Sequence, residues 1–127
     1  MIVVDTSALI AILLREETRE VCLARMQNDP EVMISAGTLA EAYMVALARG
    51  FGPRLKELVI ELKIAVIPLT QNFAYQAGEA HRDWGKGRHR ASLNYGDCFS
   101  YAAAKHYDCP LLFIGNDFSQ THIRGAL

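Results

Sequence analysis

Met1-Ile2-Val3-Val4-Asp5-Thr6-Ser7-Ala8-Leu9-Ile10 opens the chain. Its first four residues are apolar, and three of them are β-branched, which suits a short strand buried on both faces. Asp5-Thr6-Ser7 then supplies capping side chains, and a helix is expected from Ala8 onward. A buried strand followed at once by a capped helix is how a parallel α/β sheet begins.

The same alternation continues outward from this stretch. Helical spacing resumes from Glu16 to Gln27 and ends at Asn28-Asp29-Pro30, because proline cannot continue a helix. Val32 to Ser35 reads as a second strand, and Ala36 to about Arg49 as a third helix, broken by Gly50-Phe51-Gly52-Pro53. Arg54 to Lys63 is an amphipathic helix with Leu55, Leu58, Val59 and Leu62 on one side. Ile64 to Pro68 reads as a third strand, and a helix starts at Thr70-Gln71-Asn72 and runs to about Trp84. Gly85 to Leu93 is a polar, basic loop that its two glycines are expected to keep extended. Asn94 to Tyr107 is helical and Leu111 to Ile114 is a fourth strand. A short helical turn after Asp117 and an edge strand over Ile123 to Leu127 complete the expected order. The expected fold is a three-layer α/β/α sandwich with a mainly parallel sheet of four to five strands.

Composition bounds the problem. With 127 residues, 51% of them hydrophobic, the chain is long enough for one solid core and too apolar to be disordered. We expect residues 1–127 to form one domain, since no repeat, linker or low-complexity tract divides them. The charges nearly cancel, 13 Lys+Arg against 14 Asp+Glu, which weighs against a protein that coats nucleic acid generally. Cys22, Cys98 and Cys109 are an odd set without metal-ligand spacing, so a reducing compartment is expected. The apolar run Ala8 to Leu14 lacks a basic flank and is far short of the roughly 20 residues that span a bilayer. A soluble, cytoplasmic protein is expected.

Most of the acids lie in solvated runs such as Arg15-Glu16-Glu17. Asp5, Glu41, Asp97 and Asp117 instead lie among apolar residues, where a carboxylate is costly unless paired or metal-bound. Each alone is explained by capping. Thr38-x-x-Glu41 and Asn94-x-x-Asp97 have capping-box spacing, and Asp5 and Asp117 follow strands as N-caps do. Together they suggest more. Asp5 and Asp117 are expected at strand ends, and Glu41 and Asp97 in the first turns of helices. A parallel sheet gathers such positions at its carboxyl edge. Four carboxylates brought together would repel without a cation, and an all-oxygen set selects Mg²⁺ or Mn²⁺. His81, His89, His106 and His122 show no zinc spacing, and no Ser/His/Asp arrangement is apparent.

Several blocks together resemble a known family. Val3-Val4-Asp5-Thr6-Ser7-Ala8-Leu9, the isolated Glu41, Leu93-Asn94-Tyr95-Gly96-Asp97-Cys98-Phe99 and Leu112-Phe113-Ile114-Gly115-Asn116-Asp117-Phe118 resemble the PIN domain. More closely, the chain is similar to the VapC toxins of toxin–antitoxin pairs, along its whole length and in order. The resemblance implies a Mg²⁺- or Mn²⁺-dependent endoribonuclease that hydrolyses RNA with a metal-activated water. It maps the acidic residues onto Asp5, Glu41, Asp97 and Asp117, with Asp5 and Asp97 as principal ligands. Asn116 competes with Asp117 for the fourth position. Ser7, and less so Thr6, would hold a water or a phosphate, with simple capping as the alternative. The resemblance also implies a cognate antitoxin and a homodimer. The stripes Leu9-Ile12-Leu13 and Leu55-Leu58-Val59-Leu62 are candidates for a groove that takes the antitoxin's helix, in competition with core packing.

The stretch from His81 to Arg90 crowds basic residues beside this expected site. Arg88 and Arg90 are its candidate phosphate contacts, ahead of Arg15 and Lys105, while Trp84 is placed in packing ahead of base stacking. Two other readings remain open on sequence: a PIN module that has lost catalysis and only binds RNA or protein, and a different metal-dependent phosphate-handling α/β enzyme. A haloacid-type phosphatase is disfavoured, because Asp5-Thr6-Ser7 lacks the second Asp its chemistry needs.

Overall fold

The computed structural model describes residues 1–127. Four strands form the sheet: β1 (Ile2–Val4), β2 (Val32–Ser35), β3 (Ala65–Ile67) and β4 (Leu111–Leu112). All pairings are parallel, in the order β3-β2-β1-β4, so β1 is central. Six helices connect them: α1 (Thr6–Leu13), α2 (Arg19–Gln27), α3 (Ala36–Ala48), α4 (Gly52–Glu61), α5 (Gln71–Trp84) and α6 (Tyr95–Tyr107).

Strand alternation divides the core in two. Ile2, Val4, Val32, Ile34 and Leu112 pack on one face against Leu9, Ile12, Met26, Leu55 and Leu58 of α1, α2 and α4. Val3, Met33, Leu111 and Ile67 pack on the other against Ala77, Ala80, Phe99 and Ala103 of α5 and α6. This is the expected three-layer α/β/α arrangement, and it explains why β1 and β2 carry no polar residue before Asp5 and Ser35.

Four expectations are corrected. The helix over Glu16 to Gln27 begins only at Arg19. Before it, Arg15 takes a left-handed φ of 54° and closes α1, with Glu16 N–H donating to Ala11 O and Arg15 N–H to Ile12 O. The edge strand over Ile123 to Leu127 reduces to one parallel bridge between Leu111 and Gly125, where glycine has no side chain to pack. The turn after Asp117 does not become helix: Ser119 N–H bonds Asn116 O and Thr121 N–H bonds Phe118 O in two overlapping turns. The stripe Leu9-Ile12-Leu13 lines no groove; it is buried in the core beside β1.

Candidate active site

The sheet's carboxyl edge carries the chemistry. Asp5 leaves β1 as the N-cap of α1, and its Oδ2 accepts from Ser7 N–H at 3.1 Å and Ser7 Oγ–H at 2.8 Å. Ser7 Oγ in turn accepts from Ile114 N–H at 3.0 Å, which ties the exit of β4 to the start of α1. The other oxygen, Oδ1, accepts from Ser100 Oγ–H of α6 at 2.6 Å.

Glu41 arrives from a neighbouring element. It lies more than a turn into α3, beyond the expected first turn, because Ser35 rather than Thr38 caps that helix. Its Oε1 accepts from Thr6 Oγ1–H at 2.6 Å. Asp97 sits in the first turn of α6 as expected. Asn94 and Asp97 form a reciprocal capping box, with Asp97 Oδ2 accepting from Asn94 N–H at 2.9 Å and Asn94 Oδ1 from Asp97 N–H at 2.8 Å.

Asp5, Glu41, Asp97 and Asp117 line one open cleft of about 360 Å³. Thr6 and Ser7 line it as well, whereas Asn116 does not. Glu16 also lines this cleft, although Arg15-Glu16-Glu17 reads as a solvated run. Only the tight closure of α1 brings Glu16 back over the site, and no residue pattern signals a left-handed arginine.

Burial raises the Asp97 carboxyl to about 6. The Asn94 N–H opposes that rise, and the charges of Asp5, Asp117 and Glu41 add to it. Burial and the neighbouring Asp97 push the Cys98 thiol up to about 11, so it stays neutral and offers no nucleophile.

A close approach explains the glycine before Asp97. A Cβ on Gly96 would fall on the Glu41 carboxylate. Gly96→Ala must therefore displace Glu41. We expect catalysis at this cleft to fall by about 100-fold, the effect of misplacing a reacting group by an ångström. Single-turnover rates of the two proteins check this, alongside melting curves that establish folding.

The basic stretch departs from expectation. Gly85 to Leu93 is closed rather than extended: Lys86 N–H donates to Leu93 O, Leu93 N–H donates to Trp84 O, and Gly85 bridges Leu93. Gly87 takes a φ of 83° to make that turn. Arg88 and Arg90 lie on it but do not line the acidic cleft. Trp84 donates its indole N–H to Tyr101 Oη at 2.8 Å and packs edge-on against His89 and His122, which is the packing role expected of it. Lys105 lines a separate polar hollow between α5 and α6.

The family model for the PIN domain matches residues 2–123. The chain belongs to the PIN domain family. Within that family, this PIN domain is 44% identical over 124 residues to ribonuclease VapC30 of Mycobacterium tuberculosis, covering 95% of each chain. It is 42% identical over 124 residues to ribonuclease VapC of Mycolicibacterium smegmatis, covering 95% of this chain and 96% of that one. Among solved structures, M. tuberculosis VapC20, a toxin that cleaves the sarcin–ricin loop, superposes with a TM-score of 0.77 at 21% identity, over 97% of this chain and 96% of that one. A toxin–antitoxin complex from Klebsiella pneumoniae gives a TM-score of 0.75 at 17% identity, over 100% of this chain and 98% of that one. These superpositions establish the shared fold. No helix of this PIN domain is long and apolar enough to cross a membrane.

Proposed function

We propose that this PIN domain is a Mg²⁺- or Mn²⁺-dependent endoribonuclease, the toxin of a type II toxin–antitoxin pair, acting in the cytoplasm as a single domain over residues 1–127. The observation that carries the reading is the convergence of Asp5, Glu41, Asp97 and Asp117 on one cleft. The ribonuclease names of relatives such as VapC30 support it.

The donor set fits a hard divalent cation. It is all oxygen, and the like charges around Asp97 are eased by a positive ion. No three His, Cys, Asp or Glu side chains draw close enough to cage an ion by themselves. Mg²⁺ needs no such cage, since it is usually held through one or two carboxylates and keeps several waters. Asp5 and Asp97 would hold it, with Glu41 and Asp117 beside them. When bound, the ion lowers the pKa of a coordinated water and offsets charge on the phosphate.

The chain's own residues do the rest. Ser7 and Ser100 hold the Asp5 carboxylate by both oxygens. Thr6 fixes Glu41, which is placed to orient the attacking water and take its proton. Ser7 and Thr6 spend their hydroxyls on these carboxylates, so they act on RNA through them. Arg88 and Arg90 are left as contacts for the phosphate backbone beyond the cleft, where they would confer salt-dependent affinity.

For the antitoxin, the stripe on α4 divides between two roles. Val59 lines an apolar groove of about 540 Å³ with Ala36, Leu39 and Tyr43 of α3, Leu55 closes its floor from the core, and Leu58 is core alone. That groove suits the apolar face of an antitoxin helix. A homodimer completes the proposed assembly.

Product chemistry tests the reaction. Hydrolysis by water leaves linear phosphomonoester ends and takes oxygen from solvent. Cleavage in ¹⁸O-water with Mn²⁺ is expected to label the product phosphate. A 2′,3′-cyclic phosphate, made without divalent ion, would mean attack by the RNA's own hydroxyl and would overturn the reading.

A further inference from the structure

Two buried hydroxyls meet at the crossing of α3 and α6, and one of them is the Ser100 that holds Asp5 Oδ1. Ser100 and Thr38 are both 0% exposed, and their Oγ and Oγ1 atoms lie 3.0 Å apart. Ser100 Oγ is also 2.6 Å from Asp5 Oδ1. An ionised carboxylate only accepts, so the single Ser100 proton goes to Asp5. The contact between the two hydroxyls then has one polarity left: Thr38 donates and Ser100 accepts. The result is a directed chain from Thr38 through Ser100 to Asp5.

Packing alone does not call for hydroxyls here. The helices approach closely at this point, since a Cβ on Gly37 would lie 2.7 Å from the Phe99 ring. Small residues are needed, and alanine already fills the neighbouring buried positions Ala42 and Ala103. A buried hydroxyl costs about 1–3 kcal/mol if left unpartnered, and the side-chain partners of these two are each other and Asp5. Asp5 therefore has Oδ1 held from α6 and Oδ2 held by Ser7, which together restrain rotation of its carboxylate.

We infer that Thr38 and Ser100 are positioning residues, a hydroxyl relay that sets the Asp5 carboxylate for a divalent cation. The inference rests on the metal-dependent reading of the cleft. Outer partners of metal ligands of this kind typically contribute 10–100-fold in metal affinity or activity. The relay also gives α3 a second role: the helix that carries Glu41 into the cleft also orients Asp5 at its far side.

Mn²⁺ binding to the purified, RNA-free protein tests it, read as loss of the free-ion electron spin resonance signal. Ser100→Ala is expected to weaken binding by about 10–100-fold, with Thr38→Val, nearly isosteric, weakening it by a smaller factor. Thr38→Ser keeps the donor and restores the affinity that Thr38→Val loses. In an Asp5→Asn background, Ser100→Ala should add nothing further. Melting curves in EDTA establish that each variant is folded, and Thr38→Val carries the test if Ser100→Ala is not. Wild-type affinity in folded Ser100→Ala and Thr38→Val overturns the relay and leaves an interhelical contact only. No Mn²⁺ binding by the wild-type protein instead overturns the metal reading, and the relay with it.

Discussion

Asp97→Asn is expected to reduce RNA cleavage by about three orders of magnitude, about 4 kcal/mol at 1.36 kcal/mol per tenfold, and at the same time to raise the melting temperature of the metal-free protein at neutral pH. The two effects have one cause. Asp97 is buried among the charges of Asp5, Asp117 and Glu41, and its carboxyl titrates at about 6 in the folded protein, against 3.8 for an ordinary exposed aspartate. Above both values its ionised form is a cost to folding. Asparagine removes that charge yet keeps an amide oxygen to accept from Asn94 N–H, so the capping box survives. The gain should shrink as pH falls through about 6 and vanish below about 4, where the wild-type carboxyl is protonated in both states. Single-turnover cleavage with Mn²⁺, and melts in EDTA at pH 4 and 7.5, measure both. A variant that is inactive and less stable at neutral pH would mean that Asp97 serves the fold first.

The second large effect concerns the cation itself. In EDTA, the contribution of Asp97 to stability is greatest below about 4, declines as pH rises through about 6, and is then constant. The sign follows from the raised folded value: over that window the folded state binds the proton more tightly than the unfolded state. A divalent ion should act in the opposite direction, since its ligands must be ionised. Saturating Mn²⁺ or Mg²⁺, at about 100 times its dissociation constant, stabilises the folded state by about 2.7 kcal/mol. The melting temperature should rise by several degrees at pH 7.5 and hardly at all at pH 4.5. An equal shift at both values would place the ion on some other set of groups.

Asp5 and Asp97 are legible in the sequence because apolar neighbours make an isolated carboxylate conspicuous, and because a strand end for Asp5 and a helix's first turn for Asp97 both fall at a parallel sheet's carboxyl edge. The alternation of Val3 with Val4, and of Met33 with Ile34, tells which layers form. Thr38 misleads, since capping-box spacing with Glu41 is a local pattern, and the side chain instead answers a residue 62 positions away. Ser100 gives no signal of its own inside Cys98-Phe99-Ser100-Tyr101-Ala102. Gly96 passes for a helix-start glycine, and only the fold sets Glu41 against it. Arg88 and Arg90 stand out by charge density, but the loop's shape is set by Gly87 and by hydrogen bonds from Lys86 and Leu93, which composition does not encode. Contacts between distant segments, rather than residue types, account for what the sequence does not disclose.

The four carboxylates are proposed to act as one divalent-ion hydrolytic centre. The most direct test is cleavage of RNA by the purified protein with Mg²⁺ or Mn²⁺, compared with the same reaction in EDTA and with Asp5→Asn and Asp97→Asn. Cleavage by the wild type should stop in EDTA, return on adding the metal back, and be lost in both variants. Equal cleavage by wild type and both variants, or cleavage undiminished by EDTA, would contradict the proposal.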